Sequence, residues 1–473
     1  MNTLSIYIES LQLENIRTFK GDVKIKFTRQ DHSFSQWTLI LGDNGIGKST
    51  ILQSIAWMKP DLQDTSGIGM SIRKEDVEPL INYETNIVLE GLVSRGLNQV
   101  REKKSILKGR FKVGGFMSNK EEKGKKAWCT SEMEIQVNNN YKLKDVKHKF
   151  DTNNKKIFES NSINIFGYSA SRVLGSTNIS DINLSNSLAA FLEDKTVLYD
   201  AEQILHTINY AALGQENSRE KIRYENYLKF VKEALVSLLP DFENVENIEV
   251  SSPRIVDNIL QEGSINITTK HGDKIPFSNF SLGYKTVMSW VVDLTWRLFN
   301  AYPESETPLQ EHAIVLIDEL DLHLHPIWQR EIMKHLSDHF PKVQFIATAH
   351  SPLMVQAAIN DNYAVLSFDK EQNSVRLFDD IKSIDGWRID QILTSDFFGL
   401  KTSRGIEYEK MQTRREILIR KLKLSDKEKE ELSELTITMS NYPVGETIEE
   451  IENRKLIAET VKKIKEKKIK IEL

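Results

Sequence analysis

Cysteine is nearly missing from this 473-residue chain: Cys129 stands alone. A single thiol allows no intrachain disulfide and no multi-thiolate zinc centre, which suits a reducing compartment. Long apolar runs are missing too. None approaches the ~20 residues that cross a bilayer, so no membrane span is expected. The first ten residues, MNTLSIYIES, lack a basic stretch followed by an apolar block, the pattern of a secretion signal. Nor does one sign of charge dominate. The chain carries 63 basic and 68 acidic residues, a formal net charge of −5. The average composition therefore does not mark a nucleic-acid binder, although it leaves room for a local basic surface. Internal repeats and low-complexity segments are absent. What remains is a chain long enough for one large core and two or three lobes, expected to be soluble and cytoplasmic.

The stretch WTLILGDNGIGKST, Trp37 to Thr50, is the most informative. A short apolar strand enters a glycine-rich loop and leaves into an apolar helix, which is the context a phosphate-binding loop requires. Gly42, Gly45 and Gly47 permit backbone angles closed to other residues, so successive N–H groups can turn towards phosphate oxygens. Asn44, Ser49 and Thr50 lie on the same loop. The helix beginning near Lys48 adds its positive end. Lys48 is expected to neutralise the β and γ phosphates, and Ser49 to hold Mg²⁺. The loop predicts nucleotide binding, but not the use made of it.

Upstream, SIYIESLQLENIRTF and DVKIKF alternate as two strands, with a turn expected near Gly21. Arg17 lies either beside the nucleotide or on a solvated strand. From about Leu89 to Ile165 basic residues outnumber acidic ones roughly two to one, and short strand-like segments alternate with polar turns at Gly114–Phe116 and Asn138–Asn140. This reads as an antiparallel insertion. The lysine-rich run Ser118 to Trp128 reads as a loop, either solvated or touching nucleic-acid phosphates. INIFGYSASR, Ile163 to Arg172, is a strand ending in a small-residue turn, either buried or facing a ligand or partner subunit. Residues 184–239 read as two amphipathic helices, the second ended by Pro240, and strands follow at NIEVSS and SINITTK.

Ser281 and Gly283 precede a helix expected from about Tyr284 to Phe299, a second possible anion-binding helix start. Ala313 to Ile317 is an uninterrupted apolar strand ending in Asp318 and Glu319, placing two acids at a carboxyl edge where ligands of α/β sheets bind. Asp318 is expected to share the Mg²⁺ with Ser49, and Glu319 to polarise an attacking water. His323 and His325 suggest a metal, but no third ligand stands at a fixed spacing; a turn at a subunit interface is the other reading. VQFIATAHS is a further strand, with His350 at its exit able to reach a γ-phosphate. Trp387 to Leu400 reads as a short helix and turn. Ile406–Leu424 and Ile448–Ile471 read as charged helices with a break at Tyr442–Gly445, a helical hairpin whose basic end is either solvated or in contact with DNA or a partner.

Taken together, GDNGIGKST, FSLGY, IVLIDE, LDLHLHP and TAHS resemble the ATP-binding-cassette class of P-loop ATPases. Leu282 stands where that class carries a glycine in its signature loop. No glutamine loop is identifiable, although SIRKED, Ser71 to Asp76, is in a plausible place. The ENIRTF hairpin, the DELDLHLHP form and the insertion look like the RecF and SMC-like branch. The resemblance implies an α/β fold: an ABC-type ATPase head with a mixed sheet, an antiparallel β insertion, a helical lobe and a C-terminal helical hairpin. Expected boundaries are 1–88 and 246–400 for the two parts of the head, 89–165 for the insertion, 166–245 for the helical lobe and 401–473 for the extension. It implies that the nucleotide is ATP, in a site shared by two subunits, with the Lys48 loop from one and Ser281 and Gly283 from the other. It also implies hydrolysis assisted by Glu319 and His350.

Within that branch, FGYSASR, FSLGYKTVMSWVVDLTWRLF, WRIDQILTSDFFGL and SNYPVGETIEEIENRKLIAETVKKI are similar to the ATPases of bacterial anti-phage systems, the PtuA family of Septu and the retron-associated ATPases. That likeness implies a regulatory or sensor subunit that forms homodimers or larger assemblies and restrains a partner, usually an HNH-type nuclease. No nuclease motif is legible in this chain. The alternative is a RecF-like repair ATPase that binds DNA. A transporter subunit lacks support, because no membrane segment accompanies it.

Overall fold

The structure is a computed structural model. It describes residues 4–60, 104–116, 127–175, 187–214 and 219–442, less short interruptions within those ranges. The expectations for Ser71–Asp76, most of the 118–128 run, Asn138–Asn140, Pro240 and the helix at 448–471 lie outside the described residues. The chain divides into two units, one comprising Met1–Ile392 with Asp396–Phe398, the other Leu393–Ser395 with Gly399–Leu473.

The first unit begins with strands β1 (Ile6–Ile16), β2 (Phe19–Lys26) and β3 (Trp37–Gly42), then helix α1 (Lys48–Trp57). Strands β4 (Lys104–Val113), β5 (Trp128–Val137) and β6 (Leu143–Thr152), helix α2 (Lys155–Ser160) and strand β7 (Ile165–Tyr168) follow. Helices α3 (Ser187–Leu192), α4 (Ala201–Gly214) and α5 (Arg219–Leu238) come next. Five short strands succeed them: β8 (Ile248–Val250), β9 (Arg254–Val256), β10 (Ile259–Gln261), β11 (Ile265–Thr268) and β12 (Lys274–Pro276). The remainder is α6 (Leu282–Ala301), β13 (Ala313–Ile317), α7 (Pro326–His339), β14 (Val343–Thr348), α8 (Pro352–Ala357), β15 (Asn362–Asp369), β16 (Ser374–Phe378) and the short α9 (Ile389–Leu393).

Six strands form a mixed sheet in the order β16-β15-β3-β14-β13-β7. All neighbours are parallel except β15 and the edge strand β16. β13 and β14 are buried at every position, as strands covered on both faces must be. Alternation then divides their side chains between two cores. Leu39, Leu41, Val315, Ile317 and Phe345 join the core that includes residues of α4, α5, α6 and α7. Ile40, Ile314, Leu316 and Ile346 join the core built with α1 and the second large sheet.

That second sheet is antiparallel, ordered β2-β1-β4-β5-β6. The N-terminal hairpin and the strands of residues 104–152 are therefore one continuous sheet, because β4 pairs directly with β1. Leu107, Phe111, Met133 and Ile135 face the core, while Lys108, Arg110 and Glu132 face outwards.

Several sequence expectations shift. The turn between β1 and β2 falls at Arg17–Thr18, upstream of Gly21, which lies within β2. Pairing Ile16 with Phe19 buries both completely, and Asn15 and Arg17 take left-handed angles (φ +53° and +47°) that close the tight turn. The stretch read as one helix from residue 184 is interrupted. Asp200 accepts from the N–H groups of Glu202 (2.9 Å) and Gln203 (3.2 Å), starting α4 afresh. Helix α6 begins at Leu282, ahead of the expected Tyr284, with Ser281 at its N-cap.

In the second unit, α10 (Ile406–Arg420) and α11 (Asp426–Ser440) are joined by bidentate Arg414–Glu431 bonds of 2.7 and 2.8 Å. The expected Tyr442–Gly445 break lies mostly outside the described residues; the helix expected to run to Leu424 ends at Arg420, and α11, a helix not expected from the sequence, starts after a further break. Ser425 and Glu428 form a reciprocal cap there: the Ser425 N–H donates to the Glu428 carboxylate (2.9 Å) and the Glu428 N–H to Ser425 Oγ (3.4 Å).

Candidate nucleotide-binding site

β3, β14 and β13 are neighbours and end at the same edge of the mixed sheet, so their exit loops meet there. β3 delivers the glycine loop. Gly42 has φ +142°, and a Cβ there would lie 2.6 Å from the Leu366 carbonyl oxygen. Gly47, at the N-cap of α1, has φ +113°, and its Cβ would lie 2.6 Å from Thr18 Oγ1. Neither position admits a side chain, which lets the loop turn tightly over the start of α1. Thr18 Oγ1 also donates to the Ile46 carbonyl (2.8 Å). Arg17 Nη1 donates to Thr50 Oγ1 (3.1 Å) and Gln53 Oε1 (3.0 Å), so the β1–β2 turn is fastened to the loop and its helix.

Lys48 is buried, and its ammonium donates to the carbonyls of Gly42 (2.7 Å) and Asp43 (2.9 Å). Burial lowers its pKa, opposed in turn by the charges of Asp318, Glu319, Asp43 and Asp321. A cation held over its own loop and facing carboxylates is poised to receive an anion.

β13 and β14 supply the other wall. Thr348, the last residue of β14, donates its hydroxyl to Asp318 Oδ1 (2.5 Å) and accepts from the Glu319 N–H (2.7 Å). The Asp318 N–H donates to the Tyr168 carbonyl (2.8 Å). Glu319 takes a left-handed backbone, φ +51°, uncommon for a residue with a side chain. Its carbonyl accepts from Arg172 Nη2 (2.8 Å). The His350 N–H donates to Asp321 Oδ2 (3.0 Å), tying the exit of β14 to the turn after Glu319. Gln329 reinforces that turn through the carbonyls of Asp321 and Leu324 and accepts from Ser351 Oγ (2.6 Å).

The result is a cleft of about 280 Å³. Asn44, Gly45, Gly47, Lys48, Ser49 and Thr50 line one side, and Asp318, Glu319 and His350 the other. Arg17 and Thr18 complete the wall, which places Arg17 beside the site rather than on an open strand. Gly42 lies at the base of the loop, outside the lining. Ser281 and Gly283 also lie outside it, at the start of α6. There Gly283 packs against the His323 carbonyl, 2.8 Å from the position of a Cβ, and Leu282 is exposed. Among the described residues no cluster of three or more His, Cys, Asp or Glu forms a metal centre, and His325 instead caps α7, accepting from the Ile327 N–H at 3.4 Å.

Sequence reasoning assigned no role to a buried cluster behind the site. Asp293 accepts from Tyr168 Oη (2.8 Å), the Tyr199 N–H (3.0 Å) and Arg297 Nε (2.6 Å). It links α6 to β7 and, through Tyr168, to Asp318. An Asp and an Arg four residues apart in the otherwise apolar VVDLTWRLF was the available signal. Thr348 was likewise visible within TAHS, and Asp321 within DELDLH.

The retron Vc95 probable ATPase of Vibrio cholerae serotype O1 biovar El Tor is 24% identical to this chain over 404 residues, covering 78% of this chain and 74% of that one. The Septu protein PtuA of Bacillus mycoides (strain KBAB4) is 26% identical over 452 residues. The match takes in 94% of this chain but only 52% of PtuA, so the chain spans about half the length of that relative. Among solved structures, the SMC head domain from Thermotoga maritima is similar over 79% of this chain and 99% of its own, at 15% identity and a TM-score of 0.39. The family model for the AAA ATPase domain matches residues 7–355, from within β1 through His350 to α8. With the glycine loop and the acidic strand end both inside that span, the chain belongs to the AAA ATPase domain family.

Proposed function

We propose that this cleft binds ATP and hydrolyses its γ-phosphate. The observation carrying the reading is that Lys48, on the loop after β3, faces Asp318 and Glu319, on the exit of β13, across one cleft. The glycine loop and the start of α1 hold the phosphates. Lys48 leaves its carbonyl partners for phosphate oxygens, exchanging neutral acceptors for charged ones. Ser49 and Asp318 offer oxygen ligands suited to Mg²⁺, which would neutralise phosphate charge when bound. Glu319 orients and polarises the attacking water, and His350 donates to the charge that develops on the γ-phosphate.

The site is shared between two copies in this reading. Ser281 and Gly283 stand at a helix start outside the cleft of their own chain, and the exposed Leu282 beside them suits a surface that meets another subunit. ATP then joins the copies and hydrolysis releases them. In a light-scattering experiment Glu319→Gln should double in mass with ATP; an unchanged mass counts against the shared site.

The similarity to Septu PtuA and the retron ATPase supports a cellular role as the regulatory ATPase of an anti-phage defence complex, acting in the cytoplasm and controlling a partner nuclease of HNH type. Purification with the products of neighbouring genes should recover such a nuclease in fixed proportion. A homodimer that retains DNA and no second protein would favour the repair reading. Among the described residues, Lys108, Arg110 and Lys112 on the outer face of the antiparallel sheet pair with Glu132 and Glu9, which leaves less free basic surface there for DNA.

A further inference from the structure

The loop after β7 ends in Arg172, and Arg172 Nη2 donates to the Glu319 carbonyl at 2.8 Å. On the opposite side of the same residue, Thr348 Oγ1 accepts from the Glu319 N–H at 2.7 Å. The backbone of Glu319 is thus gripped from both neighbouring strands of the sheet, β7 and β14. Between those two bonds it holds φ +51°, a conformation that a residue with a Cβ adopts only when its surroundings impose it. Thr348 also bonds to Asp318, so its position is set by the strand-end acid itself. Arg172 makes no such second bond, and its Nε and Nη1 are buried without a hydrogen-bond partner.

A guanidinium that contributes one bond and leaves two buried donors unused is an expensive way to satisfy one carbonyl. Burial pushes its pKa down to about 10, while Asp318, Glu319 and Asp321 oppose that shift. The carboxylates around it explain why an arginine is tolerated there. We propose that Arg172 is a positioning residue for hydrolysis: it fixes the left-handed peptide of Glu319 and so aims that carboxylate into the cleft. Arg172 is not among the residues lining the cleft, so it acts through Glu319 and not on the nucleotide. This inference rests on the assignment of Glu319 as the residue that polarises water.

The test compares Arg172→Ala, Arg172→Lys and Glu319→Gln in the full chain, measuring affinity for a fluorescent ATP analogue and steady-state phosphate release. Arg172→Ala should lower kcat on the order of 10- to 100-fold, as a misaimed group does, with affinity for the analogue changed less than about threefold. Millimolar methylguanidinium should restore part of that kcat in Arg172→Ala and none in Glu319→Gln. Arg172→Lys should fall between wild type and Arg172→Ala. Hydrogen exchange supplies a readout independent of turnover: the peptide spanning residues 318–322 should exchange faster in Arg172→Ala than in wild type. An unchanged kcat in Arg172→Ala alongside a lost kcat in Glu319→Gln overturns the role of Arg172 alone. Wild-type kcat in Glu319→Gln instead removes the assignment on which it rests. Equal loss of binding and turnover in Arg172→Ala, without rescue, makes Arg172 merely structural and overturns the proposal too, as does unchanged exchange at 318–322.

Discussion

The two large sheets put their residues to different uses. The six-stranded mixed sheet is covered on both sides, so β13 reads as an unbroken apolar run and β14 nearly so, interrupted by the buried Gln344, and the candidate groups Asp318, Glu319 and His350 stand past their ends. The five-stranded antiparallel sheet has one buried face, and its strands alternate. Its outward charges pair across strands, as in Lys108–Glu132 (3.0 Å) and Arg110–Glu9 (2.9 Å). The first arrangement concentrates chemistry at one edge; the second spreads solvated charge over a face. The turn between β1 and β2 connects them at the site, carrying Arg17 and Thr18 from the antiparallel sheet to the glycine loop of the mixed one.

Substitutions can break that contrast, and the largest effect should come from the shared edge. Lys48→Ala removes the cation facing both acids, and ATP turnover should fall by on the order of 10²–10³ in a phosphate-release assay. Next come buried groups behind the edge. Asp293→Ala strands the Arg297 guanidinium in a site where both residues are buried, and urea unfolding should show a loss of about 3–5 kcal/mol. Ile317→Ala opens a cavity in a strand packed on both faces, for a loss of about 2–5 kcal/mol by the same measurement. Lys108→Ala, on the solvated face, should stay within about 0.5 kcal/mol of wild type. The smallest signal is chemical. Cys129 is fully buried on the inner face of β5 and burial raises its pKa, so iodoacetamide should leave it unmodified in the native protein and label it in urea.

The same contrast governs what the sequence disclosed. The glycine loop, Asp318, Glu319 and His350 were legible because buried parallel strands give continuous apolar runs, and the residues that interrupt them must stand at the exits. The mixed α/β head followed from the family resemblance that those motifs carry. The antiparallel segments were legible as strands, but their partners were not. Nothing in the alternation of β4 states that it pairs with β1 across the intervening chain. Arg172 was visible only as the end of a small-residue turn, since its partner is a backbone carbonyl, and backbone acceptors leave no trace in sequence. Tyr168, Asp293 and Tyr199 come from three separate segments, so their convergence required the fold. The cap at Ser425 and Glu428 stands in the sequence as S-x-x-E, yet neither it nor the helix it starts, α11, was anticipated. The left-handed turn at Arg17 was obscured by Gly21, the more familiar turn former nearby.

The central claim is that one cleft binds ATP through the glycine loop and hydrolyses it through Glu319. Its most direct test is a paired measurement on Glu319→Gln: ATP affinity by equilibrium binding, and phosphate release under saturating Mg·ATP. The account predicts affinity within about threefold of wild type and turnover reduced on the order of 10²-fold or more. Turnover equal to wild type would contradict it, because the residue placed to activate water would then have no part in the reaction.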